Sequence, residues 1–291
     1  MKKIETMIAD HLTFGVELET IIPTDSNINV GGYHRGAPVL GGPEFQGLWW
    51  TAQRDGSIHR QPGYQACEFV SPILQGAEGI QNLINMVAYI NRIGGKVNRS
   101  TGLHIHIGLN SLFGIETSPA EITRYLDRLA SVVNINTKAI YAQTGTRRDQ
   151  NIYCAPLTEM DHSTLRNRRN TGDLCLFSCD SRYKILNLTN LTSTRKRTIE
   201  FRAFAGTLNI EKILHHLWTV FFLCRFAQEL ETVPWKGRGW KSEEGGDGEK
   251  ALRGLHHKMR KHCLVGAMKD HVRGMRKIAL DMAVKFDQVS A

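Results

Sequence analysis

Residues Thr101-Gly102-Leu103-His104-Ile105-His106-Ile107-Gly108 alternate apolar and imidazole side chains with a period of two. That period belongs to a strand. It sets Leu103, Ile105 and Ile107 on one face and His104 and His106 on the other. At a rise of about 3.3 Å per residue, the two histidine Cα atoms lie roughly 7 Å apart. Two imidazoles aimed at one place suit a metal ion or a phosphate. The alternative is a pair of solvated histidines on an open sheet face.

Two further stretches share the design. In Phe14-Gly15-Val16-Glu17-Leu18-Glu19-Thr20, the residues Phe14, Val16 and Leu18 form an apolar face and leave Glu17 and Glu19 together on the opposite one. Like charges side by side repel unless a cation or solvent lies between them. In Thr198-Ile199-Glu200-Phe201-Arg202-Ala203-Phe204, Glu200 and Arg202 share the polar face. This is either a surface ion pair or a metal ligand beside a phosphate clamp. Asp55 sits in the turn-like Arg54-Asp55-Gly56-Ser57. Glu68 opens Glu68-Phe69-Val70-Ser71-Pro72-Ile73, a strand closed by proline. Oxygen donors dominate this set, which favours Mg²⁺ or Mn²⁺ over zinc.

These segments, in this order, resemble those of the amidoligases, which belong to the carboxylate–amine ligase superfamily that includes glutamine synthetase and glutamate–cysteine ligase. The resemblance spans roughly residues 12 to 230. It implies a glutamine-synthetase-like curved antiparallel sheet that holds divalent cations and ATP on its concave face. It also implies an amide-forming reaction through an acyl phosphate. By motif, Glu17 and Glu19 resemble neighbouring ligands of one metal cluster, and Glu68 the acid of the next ligand strand. Asp55 resembles a further metal ligand, although a turn aspartate also serves its own backbone. His104 resembles a metal ligand and His106 a contact to the nucleotide phosphates. Glu200 resembles the late metal-binding glutamate and Arg202 the arginine that meets the transferred phosphate. Arg182 and Asn187, in Arg182-Tyr183-Lys184-Ile185-Leu186-Asn187, resemble residues lining the ligand pocket; a plain surface strand is the other reading. The partners so implied are a carboxylate donor and an amine acceptor, whose identities the sequence does not give.

Two rival functions use the same residues. A two-metal phosphoesterase or nuclease would need the acids and histidines but not ATP. A catalytically silent binder of nucleic acid or peptide would need none of them. The sequence has no GxxxxGK[ST] motif, so a P-loop is not the source of any ATP binding.

Helical spacing covers 78 to 93, ended by Gly94-Gly95. A second helix starts at the capping box Ser118-Pro119-Ala120-Glu121 and runs to about 142, and a third follows Asn209. Residues 23 to 47 read as a long loop able to fold over a substrate. Helices between strands, without β-α-β phosphate loops, give an α+β fold with helices packed on one sheet face. The expected organisation is a catalytic domain over 1–235, a Gly-rich linker over 236–250 and a short basic helical extension over 251–291. From Lys236 onward 13 basic side chains face 7 acidic ones, and the whole chain carries a net charge of +9. Such a tail can attract an acidic peptide or nucleic acid.

No apolar run approaches the roughly 20 residues of a membrane span. The first residues lead into no apolar core, so a cytoplasmic protein with reduced thiols is expected. The six cysteines are 67, 154, 175, 179, 224 and 263. A zinc site from Cys154, His162, Cys175 and Cys179 is an alternative that lacks any CxxC pair. The oligomeric state is not readable.

Overall fold

A computed structural model describes residues 12–40, 45, 47–113, 117–171, 182–192, 197–231, 247–262 and 267–290. The strands are β1 (Thr13–Pro23), β2 (Ala37–Leu40), β3 (Trp50–Gln53), β4 (Tyr64–Val70), β5 (Leu74–Gln75), β6 (Gly102–Gly108), β7 (Leu186–Asn187) and β8 (Thr198–Ala205). They form one sheet in the order β2-β3-β4-β1-β6-β8-β7, with β5 paired to the start of β1, and every pairing is antiparallel. The helices are α1 (Gly76–Arg92), α2 (Leu109–Phe113), α3 (Pro119–Ile135), α4 (Thr137–Ala142), α5 (Glu159–Thr171), α6 (Ile210–Glu229), α7 (Gly248–His262) and α8 (Ala267–Ser290). The protein is therefore α+β, built on an antiparallel sheet.

Strict alternation decides which face the helices cover. Phe14, Val16, Leu18, Leu103, Ile105, Ile107, Ile199 and Phe201 are buried in one apolar cluster with Leu83 and Val87 of α1, Leu126 and Leu129 of α3, and Leu217 and Phe221 of α6. Phe14 meets Phe221 edge-on at 5.6 Å. The helices stack on the apolar face and leave the acids and histidines on the other.

Several local readings need correction. The stretch 23–47 is not loop throughout: Ala37–Leu40 pairs with β3 as the sheet edge, its register shifting between Pro38 and Leu40. Proline cannot donate to a ladder, so an edge is where it is tolerated. The strand carrying Glu68 begins at Tyr64, which puts Glu68 near its end and not at its opening. The polar Gln65 and small Ala66 blur the alternation there. The helix after Ser118 keeps its capping box but divides at Asn136. The Asn136 Nδ2 donates to the Val132 carbonyl at 2.7 Å, competing with the backbone bond that would continue the helix.

Helices α7 and α8 pack on α4 and α6. Leu252, Leu255, Met259, Ala279, Ala283 and Phe286 join the main core. Most of the expected Gly-rich linker, residues 236–246, lies outside the described residues, and residues 248–250 form the first turn of α7. Cys175, Cys179 and Cys263 also lie outside them, while Cys67, Cys154 and Cys224 are buried free thiols. Burial pushes the Cys224 thiol up to about 12, far from nucleophile chemistry. No described helix is long and apolar enough to cross a membrane.

Candidate active site

Register brings the polar residues into one continuous patch. Gln53 opposes Glu68, Glu68 opposes Glu19, Glu17 opposes His104, and Glu200 is flanked by His106 on one side and Asn187 on the other. Directly paired residues in antiparallel strands share a face, so residues as far apart in sequence as Glu17 and Glu200 meet on six consecutive strands, β3-β4-β1-β6-β8-β7.

His104 lies at the centre. Its Nδ1 is 2.9 Å from Glu17 Oε2 and 3.7 Å from Glu200 Oε1, and its Nε2 is 3.5 Å from Glu19 Oε1. Two groups of potential ligand atoms share this ring: Glu17, His104 and Glu200, and Glu19, Glu68 and His104, each with its atoms within 4.8 Å of one another. His106 Nε2 contacts the other Glu17 oxygen at 3.2 Å, and its Nδ1 meets Thr198 Oγ1 at 3.2 Å. Glu200 accepts from Arg202 Nη1 at 2.5 Å and from Asn187 Nδ2 at 2.6 Å. Arg202 is steadied in turn by an Nε–H bond to the Tyr153 carbonyl at 3.1 Å.

The electrostatics follow from this crowding. Burial raises the Glu17 carboxyl, but His106 and His104 together outweigh it and hold the group well below the usual carboxylate range. Glu200 is also held low, because His106 and Arg202 overcome its burial. Among the described residues no cation pairs with Glu68. Burial first, then repulsion from Glu17, lifts it to about 9, against a hydrogen bond from Gln53 Nε2 at 2.5 Å. A buried carboxylate set that repels itself to this degree calls for positive charge. Its oxygen-rich composition with one shared imidazole fits hard divalent cations.

Two cavities meet at Glu17. The larger, about 580 Å³, is lined by Glu68, His104, Glu200 and Arg202, with Arg54 and Arg182 further out. The smaller, about 310 Å³, lies past His106, between Gly15, Gly108, Val70, Pro72 and Leu109.

Not every expected residue joins the ligand groups. Asp55 lines the larger cavity, but its Oδ1 accepts from Ser57 N at 2.6 Å and from the Ser57 hydroxyl at 2.5 Å, closing its own turn. Arg182 stands exposed at the cavity mouth, its guanidinium 4.5 Å over the Tyr183 ring. Asn187 is buried against Glu200, so the plain surface strand is excluded there. Residues the motifs did not indicate include Gln53, Thr198, Tyr153 and Arg148. Of these Thr198 had a sequence signal, because it stands two residues before Glu200 and so on the same strand face.

A sheet face of clustered carboxylates, imidazoles and arginines between two cavities defines an α+β protein with a polar, cation-seeking site. The chain belongs to the amidoligase family, since residues 10–221 match the family described as "Putative amidoligase enzyme". Among solved structures it is similar to a bifunctional glutathione synthetase from Pasteurella multocida, with 11% identity and a TM-score of 0.45 over 98% of this chain and 53% of that one. It is also similar to a novel glutamine synthase homolog, with 11% identity and a TM-score of 0.43 over 96% of this chain and 70% of that one. The chain thus spans about half the length of the first. No curated protein matches it.

Proposed function

We propose that this protein is an ATP-dependent carboxylate–amine ligase that works through an acyl phosphate. Family membership supports amide-bond formation in general. The observation that carries the finer reading is the pair of carboxylate groups sharing His104 between two cavities. Glu17, His104 and Glu200 would hold one divalent cation, and Glu19 and Glu68 a second. Bound there, Mg²⁺ or Mn²⁺ would neutralise the polyphosphate and the charge that grows on the transferred group.

The smaller cavity, walled by apolar and glycine residues, suits a flat nucleobase. The larger, with Arg54, Arg182 and Arg202, suits an anionic acid. In the first step a carboxylate oxygen of the acid bonds to the γ-phosphorus, and the bond to the β–γ bridging oxygen breaks, releasing ADP. Arg202, fixed by Glu200 and the Tyr153 carbonyl, faces that phosphoryl group and stabilises its charge. His106, tied to Glu17 and Thr198, orients the phosphates. In the second step the amine nitrogen attacks the acyl carbon, the carbon–oxygen bond to phosphate breaks, and the amine proton is lost as the amide forms.

The sheet is, on this reading, the glutamine-synthetase-like catalytic sheet of a domain over 1–235. The helices after residue 247 form a basic extension that attracts an acidic acceptor such as a peptide or nucleic acid, in a cytoplasmic enzyme. The test is release of ADP and phosphate with Mg²⁺ or Mn²⁺ across pooled amino acids and peptides, with Glu17→Gln as control. Substrate-dependent release that the variant loses supports the ligase. Absence of both release and ATP binding, with phosphodiester hydrolysis instead, overturns it in favour of the two-metal phosphoesterase.

A further inference from the structure

One charged group beside the carboxylates takes no part in the chemistry so far. Arg148 opens the 3₁₀ turn Arg148–Gln150, which packs against β8, and only 6% of the residue is exposed. A guanidinium carries five N–H donors and keeps its charge at any working pH, so a buried one needs several acceptors. Among the described residues the Arg148 side chain has one hydrogen bond, a long one of 3.5 Å from Nη2 to the Arg202 carbonyl, and its Nε has none. The acid of the same turn, Asp149, is taken by Arg147 in a two-pronged contact at 2.9 and 2.7 Å. Arg148 is thus a buried cation with its donors in hand.

Gly102 shows where those donors point. A Cβ on this glycine would lie 3.0 Å from Arg148 Nη2 and 3.2 Å from both Glu19 Oε2 and His104 Nε2. Three functional atoms converge on the space that the absent side chain leaves. The Glu19 oxygen is already engaged by the Gly102 N–H at 2.5 Å, and no ion pair to Arg148 forms among the described residues.

Charge balance indicates the sign of what is missing. Among the described residues the arginines set directly beside Glu17, Glu19, Glu68 and Glu200 are Arg148 and Arg202, with Arg54 and Arg182 further out in the larger cavity. Two divalent cations would reverse that excess of negative charge and leave the patch matched to an oxyanion. Gly102 and Gly108 are opposite ends of β6, about 20 Å apart at ~3.3 Å per residue, and Gly108 lines the smaller cavity. Arg148 therefore stands at the end of the patch away from that cavity.

We propose that Arg148 is a second oxyanion-binding arginine of this site, holding a carboxylate or phosphoryl group between itself and the ligand cluster. Which oxyanion it meets rests on the ligase reading; the anion site itself does not. The test is calorimetric titration of inorganic phosphate, and separately of succinate, into the full-length protein at saturating Mg²⁺. Wild type is compared with Arg148→Gln and Arg148→Lys. Binding should weaken at least tenfold in Arg148→Gln and less in Arg148→Lys, which keeps the charge but loses the fork. A loss confined to phosphate identifies the phosphoryl group, and one confined to succinate identifies the acid. Equal affinities in wild type and Arg148→Gln, or no binding by wild type, overturn the proposal.

Thermal unfolding guards against misfolding. Added anion should raise the wild-type midpoint, raise that of Arg148→Lys less and leave that of Arg148→Gln nearly unmoved, with similar anion-free midpoints. Unfolding of both variants with or without anion would make Arg148 a structural counter-charge and end the proposal. If ADP release is silent but Arg148-dependent anion binding persists, the ligase reading fails and the anion site stands.

Discussion

Glu17 uses both carboxylate oxygens to bridge the two histidines of the neighbouring strand, with Oε2 2.9 Å from His104 Nδ1 and Oε1 3.2 Å from His106 Nε2. The bridge ties the shared imidazole of the ligand groups to the one that borders the smaller cavity. Replacing Glu17 by Gln keeps the shape and removes the charge. Mn²⁺ affinity, read by electron paramagnetic resonance, should fall at least about tenfold, by analogy with the cost of disturbing even outer-shell metal partners. Circular dichroism should stay unchanged, and undiminished Mn²⁺ binding would remove Glu17 from the cluster.

Arg202 is held by Glu200 at 2.5 Å and by the Tyr153 carbonyl at 3.1 Å, so its position is set before any substrate arrives. Such preorganised charge acts mainly on the transition state. Arg202→Ala should lower kcat roughly 10²- to 10³-fold, the range for losing one preorganised donor, while ATP affinity changes little. A variant that loses only affinity, with kcat intact, would contradict the role assigned to it.

How much of this was readable beforehand follows from the period of a strand. A period of two fixes the face of every residue, so Glu17 with Glu19, His104 with His106, and Glu200 with Arg202 were legible as pairs. Which pair lies opposite which was not. Pairing of His106 with Glu200 depends on a register shift in β6–β8 between Leu103 and Ile105, and no local pattern announces it. Gln53 sits on a strand of four residues, too short to display alternation. Arg148 belongs to a 3₁₀ turn whose place beside Gly102 is set only by packing. Asp55 had the opposite difficulty: its motif suited a ligand, but the nearest donors are those of its own turn.

Gly102 is required for a physical reason. Gly102→Ala would push a methyl to 3.0 Å from Arg148 Nη2 and 3.2 Å from Glu19 Oε2 and His104 Nε2. The fold should lose about 1–3 kcal/mol, the usual cost of overpacking, and Mn²⁺ affinity should drop with it. Urea denaturation of the variant checks the first effect and metal titration the second. A methyl accommodated at no cost to either would show that the convergence is looser than its geometry indicates.

The two last helices are joined by a cap supplied from outside the capped helix. Asp287 of α8 accepts from the Gly248 N–H at 2.8 Å and from the Glu249 N–H at 3.2 Å, at the start of α7. Asp287→Ala strands two helix-end donors and should cost about 1–2 kcal/mol in denaturant unfolding. Mn²⁺ affinity should not change, because neither helix supplies a ligand. A coupled loss of metal binding would mean that α7 and α8 help to shape the site.

Acid should weaken the fold through histidines remote from that site. His216 stacks on Phe204 at 4.3 Å, and burial, then Lys212, pushes it down to about 3. His256 lies 3.3 Å from His215 through the Nε2 atoms, and burial, then Arg276 and Arg260, lowers it to about 4. Both rings take up protons more readily in the unfolded chain, where the ordinary value is 6.5. Their contribution is therefore complete above pH 6.5 and is lost as pH falls toward 4 for His256 and 3 for His216, by at most about 1.4 kcal/mol per pH unit for each ring. His162, which burial lowers to about 4, behaves as His256 does. Glu68, raised to about 9 in the metal-free protein, runs the other way between 9 and 4.5 and offsets one of the three histidines. The net slope between pH 6.5 and 4.5 should accordingly approach that of two groups. His216→Gln removes one histidine, so its stability should decline only about half as steeply across this window as wild type's. Urea midpoints at pH 6.5, 5.5 and 4.5 make the comparison, and parallel slopes for the two proteins would show that His216 takes up its proton without disturbing the packing around it.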